Sequence, residues 1–281
     1  STGEASTAVL EGGLARFNLH TLPVEEFPAF PDVSEVSFWR MRQSELKRMI
    51  RETTFAAATD EARAALTGAL LEIEEGEVRI ISTDVSRLAF RSCKLVSPVE
   101  EAKSAIVPVR AMQEVARLLV TDDKSEVEFT FADNQVVFRL PGVTLVSRLI
   151  EGEFPDYRRA FPQEQPTRLR LERTAFLAAL ERASLIARQG TPAIITLAAT
   201  GDNLSISSRE PDVGQVYEEL PAKLEGVPGK ATYQAYFLTE VLRALDADTV
   251  FMEIGEGLKQ GSIRPVGDSQ YLYVLMPVRV G

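Results

Sequence analysis

Few residues in this chain could support catalysis. Its 281 residues include one histidine, His20, and one cysteine, Cys93. His20 stands between Leu19 and Thr21, where a surface strand position fits better than a general base in a catalytic triad. A single cysteine excludes an internal disulfide and a multi-cysteine zinc site, so we interpret Cys93 as a small core residue. The sequence therefore offers little material for nucleophilic or metal chemistry.

Adjacent carboxylates are the other chemical candidates, because paired acids can bind magnesium or act as acid and base. Such pairs include Glu25 with Glu26, Glu100 with Glu101, and Asp122 with Asp123. Each lies in a predicted turn or helix flank without a matching motif, which favours solvated loops. The glycine-rich run 255–261 is acidic and lacks a phosphate-binding lysine, so it predicts a hairpin turn. We expect no catalytic residue, no metal and no cofactor.

Composition and charge narrow the class of protein further. The net charge is −10, with 31 basic and 41 acidic residues, which argues against wrapping nucleic acid by bulk attraction. A continuous apolar run long enough for a membrane span is absent from the sequence, and its first residues lack a signal-peptide pattern. These features predict a soluble cytoplasmic protein.

A repeated proline-bounded segment indicates internal duplication. Phe27–Pro31 recurs as Phe154–Pro162, an offset of 127 residues (154 − 27). An alternating strand follows each copy, at 36–39 and at 167–171. A helix with apolar residues three and four apart comes next, capped by Ser44 in the first unit and by Thr174 in the second.

Both units continue in the same order. Strands are predicted at 70–73 and 78–82 in the first unit, and at 194–197 and 204–206 in the second. A second helix follows at 107–119 and at 233–245, with four identical residues at an offset of 126 (233 − 107). Further strands close each unit. The pattern predicts an α+β protein of repeated domains, each with two helices packed on antiparallel sheets, although duplication alone does not establish a function.

Charges are sorted between the predicted elements. Cations gather on the predicted helices, and anions gather on the predicted strands and turns. If the helices lie on one side of the sheets, that side has a basic surface although the net charge of the chain is negative. Ordinary solvated helix faces explain the same arginines, and charge alone favours that reading. Base-reading motifs are missing, so any contact with DNA should be independent of sequence.

Four segments resemble one family, the bacterial DNA polymerase III beta subunit or sliding clamp. They are Ser82–Phe90, Val107–Arg110, Glu153–Arg159 and Met276–Val280. Their order and spacing hold over essentially the whole chain. The resemblance implies domains of one kind arranged as a ring around duplex DNA, with helices lining the hole.

The resemblance also implies domain boundaries and an oligomer. Residues 1–32 correspond to the C-terminal remnant of a first clamp domain, 33–164 to the middle domain and 165–281 to the C-terminal domain. The intact family protein is expected to be a homodimer ring, which closes from the first domain of one subunit to the last domain of the other. A chain lacking most of the first domain is not expected to close in that way.

A peptide-binding groove between the middle and last domains is a further implication. It would receive short apolar peptides from the polymerase III alpha subunit, the clamp loader, other polymerases and repair factors. Carried over by position, its residues are Leu66, Thr83, Val85, Ser86, Arg87, Leu88, Pro155, Arg159, Ala160, Val274, Met276, Pro277, Val278, Arg279 and Val280. Val85, Ser86 and Ala160 depart from the family pattern, which would reshape two sub-pockets.

Helix cations are expected to face the double-stranded DNA. They are Arg42, Lys47, Arg48, Arg51, Arg63, Arg110, Arg117, Arg182 and Arg243. The resulting hypothesis is a non-catalytic processivity factor that tethers the replicative polymerase. Two alternatives stay open from the residues alone. One is a carboxylate-dependent hydrolase, which requires two inward-facing acids with raised pKa values. The other is a peptide-binding adaptor without DNA, which requires a helix face lacking positive potential.

Overall fold

The computed structural model describes residues 6–23, 26, 33, 36–97, 101–163, 165–186, 193–210 and 213–279. The chain separates into two units, Ser1–Val36 and Ser37–Gly281. Glu25, Phe27–Pro31, Glu100 and Val280, all used in the sequence analysis, lie outside the described residues. Within these residues no helix is long and apolar enough to cross a membrane.

The first unit contains one antiparallel hairpin of β1 (Ser6–Gly12) and β2 (Ala15–Thr21). Gly13 takes a φ of 60° in the turn, a backbone conformation that glycine adopts at little cost. The apolar side chains Leu10 and Phe17 face each other in the register and are both more than half exposed.

The second unit carries the two predicted repeats. Elements of the first repeat are β3 (Trp39–Arg42), α1 (Gln43–Thr53), β4 (Gly68–Glu74), β5 (Glu77–Thr83), β6 (Arg87–Lys94), β7 (Lys103–Pro108), α2 (Val109–Leu118), β8 (Glu126–Ala132), β9 (Gln135–Leu140) and β10 (Val143–Arg148). Elements of the second repeat are β11 (Thr167–Glu172), α3 (Arg173–Ile186), β12 (Ile194–Thr200), β13 (Asn203–Glu210), β14 (Gly214–Pro221), β15 (Lys223–Gly226), β16 (Gly229–Gln234), α4 (Ala235–Ala244), β17 (Thr249–Ile254), β18 (Gly261–Pro265) and β19 (Tyr271–Leu275). Short 3-10 segments occupy Thr54–Ala56, Glu61–Thr67 and Tyr157–Ala160. The predicted α+β class is confirmed.

One nine-stranded antiparallel sheet joins the repeats, in the order β15-β11-β17-β18-β19-β6-β5-β4-β7. The joint is the pairing of β19 with β6, where Tyr271 lies opposite Arg91 and Val274 opposite Leu88. Two four-stranded sheets, β10-β9-β8-β3 and β14-β13-β12-β16, complete the repeats. We call the β19–β6 region the repeat junction.

Each repeat has its own core between its two sheets and its two helices. Leu46 and Ile50 of α1 pack with Val115 of α2 and with strand residues of both sheets. Phe176 of α3 and Val241 of α4 do the same in the second repeat. The spacing of three and four places these side chains on one helix face, and their burial accounts for the helices.

A third apolar cluster lies on the opposite face of the nine-stranded sheet. Leu88 and Val274 belong to it, together with Tyr157 from the segment that links the repeats. Alternation along β19 explains the arrangement, because Tyr273 and Leu275 face the second core while Val274 faces the link. The link therefore packs across the repeat junction.

Three local predictions were wrong. Ser44 does not cap α1, since the helix begins at Gln43 after an extended Arg42 without a side-chain cap. Thr174 does not cap α3; the Glu172 carboxylate accepts hydrogen bonds from the backbone N–H groups of Thr174 and Ala175 instead. The strand predicted at 36–39 begins only at Trp39. The hairpin turn at 255–261 is confirmed between β17 and β18.

Candidate functional site

The chain after β19 crosses the repeat junction. Pro277 has no N–H to continue a strand ladder, and the chain leaves the sheet there. The Met276 N–H donates to the Ser86 carbonyl at 2.8 Å, and the Val278 N–H donates to the Thr232 carbonyl at 2.7 Å. The described tail, Met276 to Arg279, is thus attached to both repeats, and a cavity lies at each attachment point.

The first cavity, which we call the junction pocket, has a volume of about 500 Å³. Its walls are the 3-10 segment Glu61–Thr67, the loop between β5 and β6, and the start of α4. Leu66 and Phe237 supply buried apolar surface, whereas Tyr236 is 43% exposed at the rim. A cavity of mixed apolar and polar lining suits a short peptide side chain.

Arg87 was predicted to be a residue of the peptide-binding groove, but contacts within the fold engage most of its guanidinium. Its guanidinium is buried and pairs with Asp84 at 3.0 Å, with Glu240 of α4, and with the Phe55 carbonyl at 2.9 Å. It also lies 4.7 Å from the Phe237 ring centroid. Burial acts to lower the pKa of Arg87, but Tyr273, Glu240 and Asp84 outweigh it and raise that pKa. Arg87 therefore holds the repeats together behind the pocket.

The loop before β6 is fixed by its own hydrogen bonds. The Asp84 carboxylate accepts from the N–H groups of Ser86 at 2.9 Å and Arg87 at 3.0 Å, and the Thr83 hydroxyl accepts from Val85 N–H at 3.0 Å. These contacts hold Val85 at a φ of 80°, which is strained for a β-branched residue. Its side chain is 58% exposed.

The second cavity, which we call the tail pocket, has a volume of about 530 Å³. Pro277, Val278 and Arg279 form one wall, and the exposed Leu258 of the β17–β18 hairpin lies across from them. Lys230 and Arg279 make its lining basic. A carboxylate on a ligand would be favoured there.

The structure brings together part of the predicted groove. Leu66, Ser86 and Arg87 line the junction pocket, and Pro277, Val278 and Arg279 line the tail pocket. Beneath them, Thr83 pairs with Leu88 and Leu88 pairs with Val274, so these three side chains are buried support rather than open lining. Met276 joins the two groups and is 43% exposed.

The predicted link residues line neither the junction pocket nor the tail pocket. Pro155 lines a separate cleft beside β7. Arg159 is 86% exposed and pairs with Asp156 at 3.0 Å. Ala160 packs with Leu88 and Val274 in the third apolar cluster.

Sequence reasoning missed the contribution of α4. Gln234, Tyr236, Phe237 and Glu240 all line the junction pocket. The one available signal was the adjacent pair Tyr236-Phe237 at a helix start, since one of two adjacent helix aromatics must point away from the core. Arg63, predicted to face DNA, also lines this pocket.

Most cations predicted to face DNA have partners within the protein. Arg117 pairs with Glu114 at 2.7 Å, Arg243 with Glu181 at 2.6 Å, Arg182 with Glu218, and Arg51 with Asp246. The Lys47 ammonium donates to the Leu119 carbonyl at 2.7 Å. Arg42 and Arg110 are exposed, and neither has an ion-pair partner within the described part of the chain. The helix surface is therefore largely neutralised.

Arg48 belongs to a buried charge network at the repeat junction. It contacts Glu52 and Asp268, each at 3.0 Å. Arg91 reaches Glu52 at 2.7 Å and Asp268 at 2.9 Å. Burial raises the pKa of the Glu52 carboxyl above its usual value, despite Arg91 and Arg48. For Asp268, burial is outweighed by Arg91 and by the Gln270 N–H, so its pKa is lowered.

Metal chemistry finds no support in the mapped residues. Among those residues, no group of three or more histidine, cysteine, aspartate or glutamate side chains could hold an ion. Burial raises the pKa of the Cys93 thiol to about 11, which leaves it a poor nucleophile at neutral pH.

Comparisons with known proteins agree on one family. Residues 40–156 match the DNA polymerase III beta subunit, central domain, and residues 158–279 match its C-terminal domain. A beta sliding clamp from Staphylococcus aureus is 34% identical over 280 residues, which span 99% of this chain and 74% of that protein.

Solved structures give the same result. The DNA polymerase sliding clamp from Bacillus subtilis superimposes with a TM-score of 0.91 at 29% identity, over 100% of this chain and 74% of that one. A sliding clamp from Pseudomonas aeruginosa bound to griselimycin gives 0.88 at 27% identity, over 99% of this chain and 74% of that one.

Proposed function

This chain belongs to the family of the DNA polymerase III beta subunit, the sliding clamps, and we propose that it acts in DNA replication as a processivity factor. In this role it encircles duplex DNA, tethers the replicative polymerase and recruits partners through a peptide-binding groove. Family membership agrees with the expectation of a non-catalytic subunit.

The proposed groove is based on the tail, Met276 to Arg279, which contacts both repeats beside the two pockets. Met276 connects residues of the two pockets: its N–H donates to the carbonyl of Ser86 in the junction pocket, Pro277 of the tail pocket follows it in the chain, and its adaptable thioether side chain is exposed. An extended peptide could place one apolar side chain in each pocket across Met276. Arg63, Lys230 and Arg279 would favour acidic groups on that peptide. Segments of the polymerase alpha subunit, the clamp loader and repair factors are the proposed ligands.

The equivalence between β14 of the second repeat and β6 of the first repeat supports the proposal that subunits close into a ring. Strand β14 (Gly214–Pro221) corresponds to β6 (Arg87–Lys94) at an offset of 127 (214 − 87). β6 pairs with β19, whereas β14 pairs only with β13 among the described strands and leaves one edge open. Tyr217 on this strand is 65% exposed. β19 itself is paired on both edges, so in a head-to-tail ring this open edge would take an equivalent strand from the first domain of a second subunit.

Contacts with DNA are proposed to be few and independent of sequence. Arg42, Arg63 and Arg110 are exposed, were predicted to face DNA and have no ion-pair partner in the described ranges. Because a closed ring retains DNA by topology, weak and salt-sensitive phosphate contacts suffice.

A peptide titration tests the groove. A fluorescein-labelled peptide of glutamine followed by leucine and phenylalanine should bind the intact chain with a Kd in the range of about 1–10 μM, measured by fluorescence polarisation. Met276→Ala should weaken binding by about tenfold or more, because the tail between the two pockets loses its exposed apolar side chain. Leu118→Ala, a change at an exposed apolar residue of α2, is the matched control. Equal affinity for wild type and Met276→Ala would refute the groove.

The burial of Glu52 argues against the alternative of a carboxylate-dependent hydrolase. It needs two inward-facing carboxyls with raised pKa values in one cleft, and burial raises the pKa of Glu52. Glu52 is fully buried and contacts arginines, so it is not available to a substrate.

A further inference from the structure

The tail pocket has a counterpart in the first repeat. Beside β16, the Val278 N–H donates to the Thr232 carbonyl; beside β7, the Ile150 N–H donates to the Ile106 carbonyl at 2.8 Å. Ile106 precedes Thr232 by 126 residues (232 − 106), the same offset that relates the second helices of the repeats. In both repeats, the chain after the last strand thus returns to the strand before the second helix.

A cleft opens at this counterpart position, and we call it the β7 cleft. Its volume is about 700 Å³, against about 530 Å³ for the tail pocket. Leu70 and Ile106 lie where the tail pocket has Thr196 and Thr232, and Phe154 adds aromatic surface. The β7 cleft is therefore larger and has a more apolar floor than its counterpart.

The edge of β7 is available to an extended ligand. This strand pairs with β4 along its length, and its other edge is contacted only by the bridge from Ile106 to Ile150 among the described residues. The chain then turns away at Gly152, where φ is 126°. Ser104 and Ala105 remain at least partly exposed. Backbone groups on such an edge can pair with an added strand.

Charge separates the β7 cleft from the tail pocket. Glu151 and Glu153 stand exposed at its rim, and neither has an ion-pair partner in the part of the chain that the structure describes. Glu72, deeper in the cleft, is already occupied by Arg79 at 3.1 Å and by the Tyr157 hydroxyl at 2.7 Å. The tail pocket carries Lys230 and Arg279 instead. The two sites should therefore select peptides of opposite charge.

We propose that the β7 cleft is a second peptide-binding site, which takes an extended segment with apolar anchors flanked by lysine or arginine. The segment adds to the free edge of β7, its apolar side chains enter over Leu70 and Phe154, and its cations meet Glu151 and Glu153. The comparison with the tail pocket rests on the proposed function. The free edge of β7, the apolar floor of the cleft and its acidic rim are independent of that function. The junction pocket and the tail pocket share no lining residue with the β7 cleft, although Pro155, which the resemblance assigns to the groove, lines the cleft.

The test uses the whole chain and a labelled peptide of sequence Lys-Leu-Ile-Phe-Lys, titrated by fluorescence polarisation. Wild type should bind it, and Glu151→Lys with Glu153→Lys should weaken binding by about tenfold or more. Both changes are at exposed positions, so the fold should persist, which circular dichroism checks. Ser104→Trp should weaken binding as well, because Ser104 is exposed and lies on the same strand face as Ile106, so the new ring fills the cleft without changing charge. Met276→Ala is the matched control and should leave the affinity unchanged.

Competition separates the two sites. An unlabelled groove peptide should not displace Lys-Leu-Ile-Phe-Lys. Displacement, loss of binding in Met276→Ala, or absence of wild-type binding up to about 1 mM would each overturn the β7 site. Failure of the groove peptide to bind wild type would overturn the proposed groove, while the basic peptide could still bind.

Discussion

Val85 is a strained residue at the rim of a candidate binding site. A β-branched side chain at a φ of 80° crowds the backbone, at a cost of about 1–3 kcal/mol. The hydrogen bonds of Thr83 and Asp84 maintain this conformation. Val85 directly precedes Ser86, whose carbonyl accepts a hydrogen bond from the Met276 N–H. The attachment of the tail at Met276 therefore also depends on this loop.

Val85→Gly should stabilise the protein by about 1–2 kcal/mol, because glycine adopts this φ without the side-chain clash. The free energy of unfolding from a urea titration measures the change. Asp133→Gly is the matched control, since Asp133 has a φ of 49° but aspartate tolerates that region, and its effect should stay within about 0.5 kcal/mol. A less stable Val85→Gly would show that the backbone is not strained.

Residue types were readable from the sequence, but the partners of those residues were not. Arg87 and Arg48 were recognised as cations, and both are held by acids far along the chain. Glu240 lies 153 residues from Arg87, and Asp268 lies 220 residues from Arg48. Local patterns carry no information on such distant pairs, so a charge available to a ligand could not be distinguished from one already engaged.

Elements were predicted best where a helix packs on a core. The second helices, predicted at 107–119 and 233–245, are Val109–Leu118 and Ala235–Ala244 in the structure. Apolar spacing predicts such helices well, because packing against the core determines both where the apolar residues occur and where the helix forms. Caps depend on the backbone of one or two residues, and there Ser44 and Thr174 misled the prediction. The pairing of β19 with β6 left no signal, because strand order depends on non-local contacts.

Three strands of the second repeat meet at one buried carboxylate. Glu253 of β17 is paired with Arg168 of β11 at 2.7 Å and with Arg264 of β18 at 2.6 Å, and it accepts from the Ser262 hydroxyl. Burial acts to raise the pKa of Glu253, but the hydrogen bonds from Ser262, Arg264 and Arg168 together lower it. The contact connects β11 and β18 through β17.

Acid should weaken this part of the sheet. Because the pKa of Glu253 is lower in the folded chain than in the unfolded chain, the unfolded state binds more protons between those values. The stabilisation from Glu253 is present above the unfolded value, about pH 4.3, and is lost as the pH falls through the folded pKa.

Glu253→Gln should therefore flatten the dependence of stability on pH below about pH 4.3. Urea midpoints measured between about pH 3 and pH 6 give the slopes for both proteins. Glu128→Gln, at a strand residue without an ion-pair partner in the described part of the chain, serves as the control and should keep the wild-type slope. Parallel slopes for wild type and Glu253→Gln would rule out the coupling.

At the scale of the whole molecule, the continuous sheet makes the two repeats one cooperative body. The β19–β6 pairing, the Arg87 contacts and the Glu52–Arg91–Asp268 network all cross the repeat junction. Unfolding of one repeat removes its charged residues from the network and leaves buried charges of the other repeat unpaired, which costs several kcal/mol. Unfolding of either repeat should thus destabilise the other.

Two optical probes can test this cooperativity. Trp39 is the sole tryptophan, and it packs on Phe129 and Phe131 of the first repeat. Its fluorescence reports that repeat alone, whereas far-ultraviolet circular dichroism reports both. The two urea transitions should coincide, as expected for a single cooperative step. Separate midpoints would mean that the repeats unfold independently.

The position of β19 has a consequence for synthesis of the chain on the ribosome. This strand is the fifth of nine in the sheet, yet about 180 residues separate its Tyr271 from the Arg91 with which it pairs. At ordinary rates of elongation that distance takes roughly 9–36 s. During this interval the first repeat can fold, but β6 presents an open edge beside the apolar Leu88 and Phe90. Newly made chains on neighbouring ribosomes would therefore be most prone to pair wrongly at the strand that later joins the repeats.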